Sequence, residues 1–344
     1  MKIGLTYDLR KEYTDMGFTE EETAEFDSEE TINSLEETIR NLGHETIRIG
    51  NIYELVRRIA SGERWEFVFN VTEGLHGRSR EAQVPALLEA FNIPYTFSDP
   101  LTLSLCLDKA MTKRIVRDAG IPTPDFAVIQ SLHELEGSEL PNKGKFPLFV
   151  KPVAEGTGKG VTADSIIRDM DALKRQVRKL LIRYNQPVLI ETFLPGKEFT
   201  VGILGTGSDA RAIGALEVKL LKNAEPGVYS FMNKELCEER VKYVLVEKTK
   251  ILKEAVDVAL RAYRALGCRD AGRVDLKTDG DGKICFVEMN PLAGLHPTHS
   301  DLPILCTQVG IPYSVLISGI IESALKRKRE TETKSKSSAS APTT

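Results

Sequence analysis

Two strand-like segments joined by a tight turn constrain the fold of this chain more than any other feature. Residues 271–278 and 283–290 are rich in strand-forming side chains, and the Asp-Gly-Asp-Gly sequence at 279–282 is a strong hairpin signal. The pattern therefore predicts two neighbouring antiparallel strands.

The polar residues of this hairpin are predicted to share one face of the sheet. Because side chains alternate along a strand, Arg273 and Asp275 point the same way, as do Glu288 and Asn290. A turn centred on its middle two residues places Arg273 opposite Glu288 and Asp275 opposite Phe286. This face then carries two carboxylates, an amide and a guanidinium. Burying these groups costs free energy unless cations and an anionic ligand bind there. A solvated face with a cross-strand Arg–Glu pair is the alternative.

Composition limits the class of protein. The 344 residues suit two or three domains, and 41% apolar with 28% charged residues is typical of a globular chain. A net charge of −4 argues against a nucleic-acid binder, and no apolar run approaches membrane-spanning length. The five cysteines are scattered and lack a C-x-x-C spacing, which suits a reducing compartment, so we expect a cytoplasmic protein.

Strand and helix signals alternate through the first hundred residues, which predicts a parallel sheet with helices on its faces. The predicted strands are Ile3–Tyr7, Thr46–Ile49, Phe67–Val71 and Pro94–Phe97. The predicted helices are a segment capped by Asp27 or Ser28 and ended by Gly43, then Tyr53–Ile59, Glu81–Phe91 and Thr102–Ala119.

The remaining chain is predicted to form two further units and a tail. Strands are expected at Phe146–Val153, Val188–Phe193, Glu198–Leu204 and Ala212–Val218, with helices at Lys250–Leu266 and near Val315–Leu325. After the basic run 326–329 the composition becomes rich in Lys, Ser, Thr, Ala and Pro. Such a segment cannot bury a core, so we expect it to be disordered.

A glycine-rich loop follows the apolar strand that begins at Phe146. Its glycines at 156, 158 and 160 let backbone amides approach phosphate oxygens, and Thr157 adds a hydroxyl donor. Lys151, at the end of the strand, is placed to pair with a phosphate. The loop matches neither the G-x-x-x-x-G-K-[ST] nor the G-x-G-x-x-G pattern, and a flexible surface turn is the alternative.

In this order the segments resemble the ATP-grasp superfamily, most closely the D-alanine–D-alanine ligase family. The resemblance extends to about residue 325 and rests on residues 107–113, 119–124, 151–157, 188–201, 273–275 and 288–290. It implies an α/β protein that is α+β in its C-terminal half. The implied parts are a Rossmann-like domain at 1–103, an ATP-grasp central subdomain at 104–191, an antiparallel-sheet catalytic subdomain at 192–328 and a disordered tail at 329–344.

The resemblance implies that the cofactor is ATP. The adenine would be held by Glu191 and by the backbone around Phe193 and Leu194, and the ribose hydroxyls by Glu198. The residues implied at the phosphates are Lys109, Lys151, Lys234, Glu155, Gly156 and Thr157.

The resemblance also implies two Mg²⁺ ions, with Mn²⁺ as an alternative. Asp275 would bind one ion, Glu288 would bridge both, and Asn290 would complete the second; such oxygen ligands suit hard cations. The implied reaction makes an acyl phosphate from one substrate's carboxylate, which the amine of a second substrate attacks. Arg273 and the backbone amide near Gly294 are then expected to stabilise the oxyanion.

The substrate end departs from the family pattern. His76 keeps the family's His-Gly position near the first amino acid, and Lys234 falls where the family has a lysine near the amino-acid and phosphate sites, so both are catalytic candidates. The tyrosine expected next is Glu235. The family's serine that grips the second carboxylate aligns with His299, and Ser300 follows it. An ordinary loop histidine and a surface charge on a lid are the alternatives for His299 and Glu235.

One implied residue has no unique position. The family's glutamate that orients the first substrate's amine falls within a long acidic loop at residues 8–28 or just after it, where Glu25, Asp27 and Glu29 are all candidates.

Three functions fit these patterns. The first is a D-alanine–D-alanine ligase of peptidoglycan, and thus cell-wall, biosynthesis; the second is an ATP-grasp ligase for another amino-acid pair. The third is an ATP-binding regulatory module without turnover, against which the intact Arg273 counts. The expected partners are small-molecule amino acids, with no nucleic acid and no membrane, and a homodimer is the family's habit.

Overall fold

The computed structural model describes residues 1–247 and 249–339, which form three sheets. The strands are β1 Lys2–Tyr7, β2 Glu45–Gly50, β3 Phe67–Val71, β4 Phe126–Ile129, β5 Leu148–Pro152, β6 Ile166–Ile167, β7 Val188–Thr192, β8 Glu198–Leu204, β9 Arg211–Leu220, β10 Val241–Leu245, β11 Ala271–Thr278 and β12 Ile284–Asn290.

Helices cover the sheets and connect them. They are α1 Arg10–Asp15, α2 Glu29–Asn41, α3 Ile52–Ala60, α4 Gln83–Ala90, α5 Pro100–Leu107, α6 Lys109–Asp118, α7 Leu132–Gly137, α8 Met170–Tyr184, α9 Phe231–Glu235, α10 Cys237–Arg240, α11 Lys250–Ala265, α12 Asp301–Gln308 and α13 Tyr313–Ala339. Single 3₁₀ turns occur at Arg80–Ala82, Pro141–Gly144, Ala163–Ser165 and Gly207–Asp209.

The N-terminal sheet is parallel, in the order β2-β1-β3, as the alternating strand and helix signals predict. Ser28 caps α2 by accepting a hydrogen bond from the backbone amide of Thr31. The strand predicted at Pro94–Phe97 is reduced to one isolated parallel bridge between Tyr95 and Val68.

The helix predicted over Thr102–Ala119 is in fact two helices. Asp108 has an extended backbone, and its carboxylate accepts hydrogen bonds from the amides of Ala110 and Met111. It therefore ends α5 and caps α6. This break places Lys109 at the first position of α6.

The other two sheets are antiparallel. The four-stranded sheet has the order β4-β7-β5-β6 and packs on α8, and the five-stranded sheet has the order β10-β9-β8-β11-β12 and packs on α11. These sheets lie within residues 126–192 and 198–290. The proposed domain boundaries remain a prediction.

The hairpin of β11 and β12 forms, but the predicted pairing was wrong. Arg273 pairs with Asn290, and Asp275 pairs with Glu288, because the ladder shifts by one residue between Asp275 and Leu276. The turn is also longer than assumed, since the amide of Asp279 bonds to the carbonyl of Lys283. The irregularity keeps the four polar residues on one partly exposed face.

The last helix joins the C-terminal part of the chain to the N-terminal core. Leu316 and Ile320 of α13 are fully buried in one cluster with Ile3 and Leu5 of β1. The helix continues to Ala339, although the sequence predicted a disordered tail from residue 329. Lys, Arg and Glu are good helix formers, and Lys326 and Glu330 pair one turn apart. The rest of that predicted tail, 340–344, lies outside the described residues.

No single helix in the described part of the chain is long and apolar enough to cross a membrane. Asp301–Gln308 together with Tyr313–Glu330 would pass on length and composition alone, but the two helices are bent by 116°.

Candidate active site

Two adjoining chambers open between the sheets. The first lies between the two antiparallel sheets, and the second reaches from there to the N-terminal part of the chain. Both are lined by Lys109, Glu155, Tyr229, Lys234 and Glu288, so these five residues mark the junction.

Glu191 forms a buried ionic cluster in the first chamber. Its carboxylate lies 3.0 Å from the Nζ atom of Lys113 and 2.9 Å from that of Lys151. Burial opposes ionisation, but the two lysines hold the pKa of Glu191 down at about 2. Sequence reasoning selected Glu191 and Lys151 but missed Lys113. The signal was present, because Lys113 follows Lys109 by one helical turn.

The remaining residues predicted for the adenosine group line the same chamber. Phe193 stacks on Phe149 with a ring separation of 6.4 Å, and Leu194 lies beside it in the lining. Glu198 pairs with Lys277 at 3.0 Å. A flat apolar wall beside a partly exposed carboxylate fits an aromatic base and a sugar.

Asp275 and Glu288 face one another at the floor of the junction. The Nε atom of Arg273 lies 3.0 Å from Asp275, the Asn290 amide donates to Asp275 at 3.2 Å, and Thr200 donates to it at 2.9 Å. Burial would raise the pKa of Asp275, but the guanidinium of Arg273 lowers it. The donor set of two ionised carboxylates and one amide fits a hard divalent cation.

Lysine side chains bring positive charge to this floor. The Nζ atom of Lys109 lies 2.9 Å from Glu288 and also donates to the carbonyl of Glu155. The Nζ atom of Lys234 stands 4.8 Å from the centre of the Tyr229 ring. Burial raises the pKa of Glu288, and the charge of Lys109, followed by those of other lysines, reverses the effect. Carboxylate and ammonium groups therefore lie together at the junction of the two chambers.

Arg273 has a second anchor that the sequence did not reveal. Its Nη1 atom lies 3.1 Å from Asp301, the first residue of α12. Two carboxylates thus pair with one guanidinium, and their negative charges raise the pKa of Arg273 although burial acts to lower it. Nothing in the local sequence links Asp301 to Arg273, because the contact depends on how α12 packs on the sheet.

The glycine-rich loop is folded against the N-terminal part of the chain. Lys159 pairs with both Glu155 and Glu25 at 2.7 Å. A side chain at Gly156 would overlap the carboxylate of Glu25, and Thr157 has a positive φ of 50°. Lys159 was not among the predicted residues, although it lies in the loop that was singled out.

Two of the three candidates for the amine-orienting acid line the second chamber. Glu25 is also gripped by Arg80 at 3.0 Å, and these partners, acting against burial, lower its pKa to about 2. Burial raises the pKa of Asp27 to about 7, and repulsion from the negative charge of Asp8 contributes to the shift. Glu29 is not in the lining and pairs with Arg48 at 2.6 Å.

The structure does not bring His76 to either chamber. Its side chain is exposed and lines a separate, smaller pocket with Tyr53 and Gln83. Glu235, at the position of the expected tyrosine, lies in the second chamber and pairs with Arg10 at 3.4 Å.

His299, Ser300 and Gly294 all line the second chamber. The Oγ atom of Ser300 accepts a hydrogen bond from the amide of His296, which holds the loop after β12 in place. His299 contacts Cys237 and Glu238. The contact with Cys237 and, to a smaller extent, that with Glu238 raise the pKa of His299 to about 9, although burial alone would lower it.

The sequence matches the family model described as D-ala D-ala ligase C-terminus over residues 115–322. The chain belongs to the D-alanine–D-alanine ligase family. A D-alanine–D-alanine ligase of Bordetella petrii is 34% identical over 252 residues, 73% of this chain and 74% of the relative. One from Aquifex aeolicus is 31% identical over 85% of this chain and 93% of its own length.

Solved structures agree with the family membership. The crystal structure of D-alanine–D-alanine ligase from Bacillus anthracis complexed with ATP superposes with a TM-score of 0.73 at 25% identity, covering 96% of this chain and 99% of that one. The VanG D-Ala:D-Ser ligase of Enterococcus faecalis shares the fold, with a TM-score of 0.70 at 20% identity. The ATP-grasp architecture predicted from the sequence is therefore confirmed.

Proposed function

We propose that this chain is an ATP-dependent, ADP-forming ligase that joins two amino acids, D-alanine or a close analogue, through an acyl phosphate. One observation carries the proposal: the Lys109–Glu288 pair lies where the chamber with the flat apolar wall meets the chamber lined by the candidate substrate residues. A nucleotide phosphate at the junction would lie next to a carboxylate bound in the second chamber.

The residues of the junction suit phosphoryl transfer. Lys109, Lys151 and Lys234 would bind the phosphate oxygens, while Asp275, Glu288 and Asn290 would hold Mg²⁺, which when bound neutralises charge on the phosphates. In the reaction, a substrate carboxylate oxygen bonds to the γ-phosphorus and ADP leaves. Catalysis therefore rests on positioning and charge stabilisation, without a covalent enzyme nucleophile.

The second step needs an oxyanion stabiliser. The neutral amine nitrogen of the second amino acid attacks the acyl carbon, and the carbonyl oxygen becomes negative. The carbonyl then re-forms, phosphate leaves with the electrons of the broken C–O bond, and the nitrogen loses one proton to give the amide. Arg273 is held between Asp275 and Asp301, so its remaining donors have a fixed direction. We assign the stabilising role to Arg273 and to the backbone amide near Gly294.

A different amino-acid pair is the second candidate function. The substrate end of the second chamber carries two features outside the family pattern, the Glu235–Arg10 pair and His299 beside Glu238. Both place charge where the family has hydroxyl groups, which favours a pocket for another side chain or another carboxylate position. A cytoplasmic location and a homodimer remain predictions.

Turnover of Mg²⁺-ATP to ADP, with products identified by mass, tests the proposal. The substrates are D-alanine, D-serine and a panel of other D- and L-amino acids. Formation of D-alanyl-D-alanine supports the first function, and a product only with another pair supports the second. Tight ATP binding without turnover on any substrate would contradict both and favour a regulatory module.

A further inference from the structure

Three potential metal ligands converge at the edge of the second chamber. The Nδ1 atom of His299 lies 3.6 Å from the sulfur of Cys237 and 2.8 Å from the Oε1 atom of Glu238. All three ligand atoms lie within 4.8 Å of one another. Across residues 1–247 and 249–339, no other set of three His, Cys, Asp or Glu side chains converges in this way.

The geometry does not fit a nucleophile with a proton relay. In a relay, the nucleophile and the orienting acid contact opposite nitrogens of the imidazole ring. Here Cys237 and Glu238 both approach the same nitrogen of His299. Convergence on one point is instead what a shared cation requires.

The chemistry of the three ligands selects the type of ion. A thiolate, an imidazole and a carboxylate together suit Zn²⁺ and its neighbours, whereas Mg²⁺ prefers oxygen ligands alone. The sulfur of Cys237 is buried, with 3% of the residue exposed, while Glu238 is exposed and free to adjust. Small rotations of Glu238 would open the 2.8 Å contact to the ligand separation of a tetrahedral site.

We propose that Cys237, Glu238 and His299 form a binding site for a zinc-type divalent ion, distinct from the proposed magnesium site. Three protein ligands leave a fourth position for water. The ion would tie α10 to the loop that follows β12. The effect of the ion on catalysis rests on the proposed function. A bound ion would hold His299 away from the second amino acid and so raise the KM of that substrate.

Cobalt serves as a spectroscopic probe of the site. The full chain, treated with chelator and kept in excess Mg²⁺ without ATP, is titrated with Co²⁺. We expect one tightly bound ion with a sulfur-to-cobalt charge-transfer band, and displacement of that ion by Zn²⁺. The excess Mg²⁺ keeps cobalt away from the all-oxygen ligands Asp275, Glu288 and Asn290.

Two variants and one control decide the assignment. Cys237→Ala should lose the band, and His299→Ala should lose most of the cobalt affinity, while Cys285→Ala should retain both. Absence of tight cobalt binding in the natural chain, or an unchanged band in Cys237→Ala, would overturn the site. These measurements do not require turnover, so they stand apart from any failure of the proposed ligase activity.

Kinetics test the coupling separately. Zn²⁺ should raise the KM of the second amino acid in the natural chain, and this rise should disappear in Cys237→Ala. An equal effect of Zn²⁺ in both proteins would show that the ion acts elsewhere.

Discussion

Asp275 lies directly opposite Glu288 across the β11–β12 ladder, although regular pairing from the turn would not place them together. The irregularity next to Leu276 moves β12 by one residue and brings the two carboxylates side by side. Because Lys109 reaches Glu288 from α6, the same carboxylate also connects the helix to the hairpin.

Changing Glu288 to Gln should abolish Mg²⁺-dependent ADP formation. The amide keeps the shape of the side chain but removes the charge proposed to bridge two ions, and we expect kcat to fall by about 10²-fold or more. Glu254→Gln, on the exposed side of α11, is the matched control. Near-normal turnover by the Glu288→Gln protein would remove the metal assignment.

Arg273→Lys tests the oxyanion role. Lysine keeps a positive charge near Asp275 and Asp301. Its single ammonium group cannot pair with both carboxylates and also direct a donor at the oxyanion. We expect kcat to fall by about 10²–10³-fold, with the KM of ATP changed much less. If the loss appears mainly in ATP affinity, Arg273 positions the nucleotide and another donor stabilises the oxyanion.

Lys113→Met should weaken both the fold and ATP binding. Lys113 is fully buried, and its loss leaves the buried Glu191 with Lys151 alone, at a cost of about 3 kcal/mol in the free energy of unfolding. Denaturant unfolding and ATP titration measure the two effects. Lys174→Met, an exposed position on α8, should change neither. A stable variant with normal ATP affinity would show that the second lysine is dispensable.

Asp27→Asn should remove a pH-dependent loss of stability. Burial and the negative charge of Asp8 raise the pKa of Asp27 to about 7, while the positive charge of Arg10 opposes the shift. The negative charge of Asp27 in turn acts on Glu73 and Tyr313 and favours their protonated forms. The unfolded chain releases this proton near pH 4, so the stabilising contribution is complete below about pH 4 and is lost as the pH rises through about 7.

The comparison with the natural chain therefore has a definite sign. In urea unfolding, we expect the free energy of unfolding of Asp27→Asn to equal that of the natural chain near pH 4 and to exceed it by roughly 2–4 kcal/mol near pH 8. A stability difference that does not grow with pH would contradict the raised pKa of Asp27.

His299→Ser should change amino-acid affinity more than ATP affinity. His299 lines the second chamber but not the first, and it stands where the family has a substrate-gripping serine. Steady-state KM values for the amino acid and for ATP measure the split, with the exposed His133→Ser as control. A larger effect on ATP would end the proposed substrate role.

Local sequence patterns predicted the parts of this protein whose determinants are short-range. The parallel N-terminal sheet, the helix over Lys250–Ala265 and the hairpin at residues 271–290 follow from periodicity, caps and turn residues, which act over a few positions. The residues proposed to hold ATP were selected because each stands in a short motif. The split at Asp108 was missed, since an aspartate inside a helical pattern can also be a solvated side chain.

The sequence by itself determined the family, the parallel N-terminal sheet, the β11–β12 hairpin and the chemical types that line the first chamber, because motif spacing and strand alternation encode them locally. Only the tertiary structure decided that Asp275 faces Glu288, that Asp301 anchors Arg273, that Cys237 meets His299 and that His76 lies apart. These contacts depend on a register shift and on how distant elements pack, and both arise from the free energy of the whole fold, which no short segment contains.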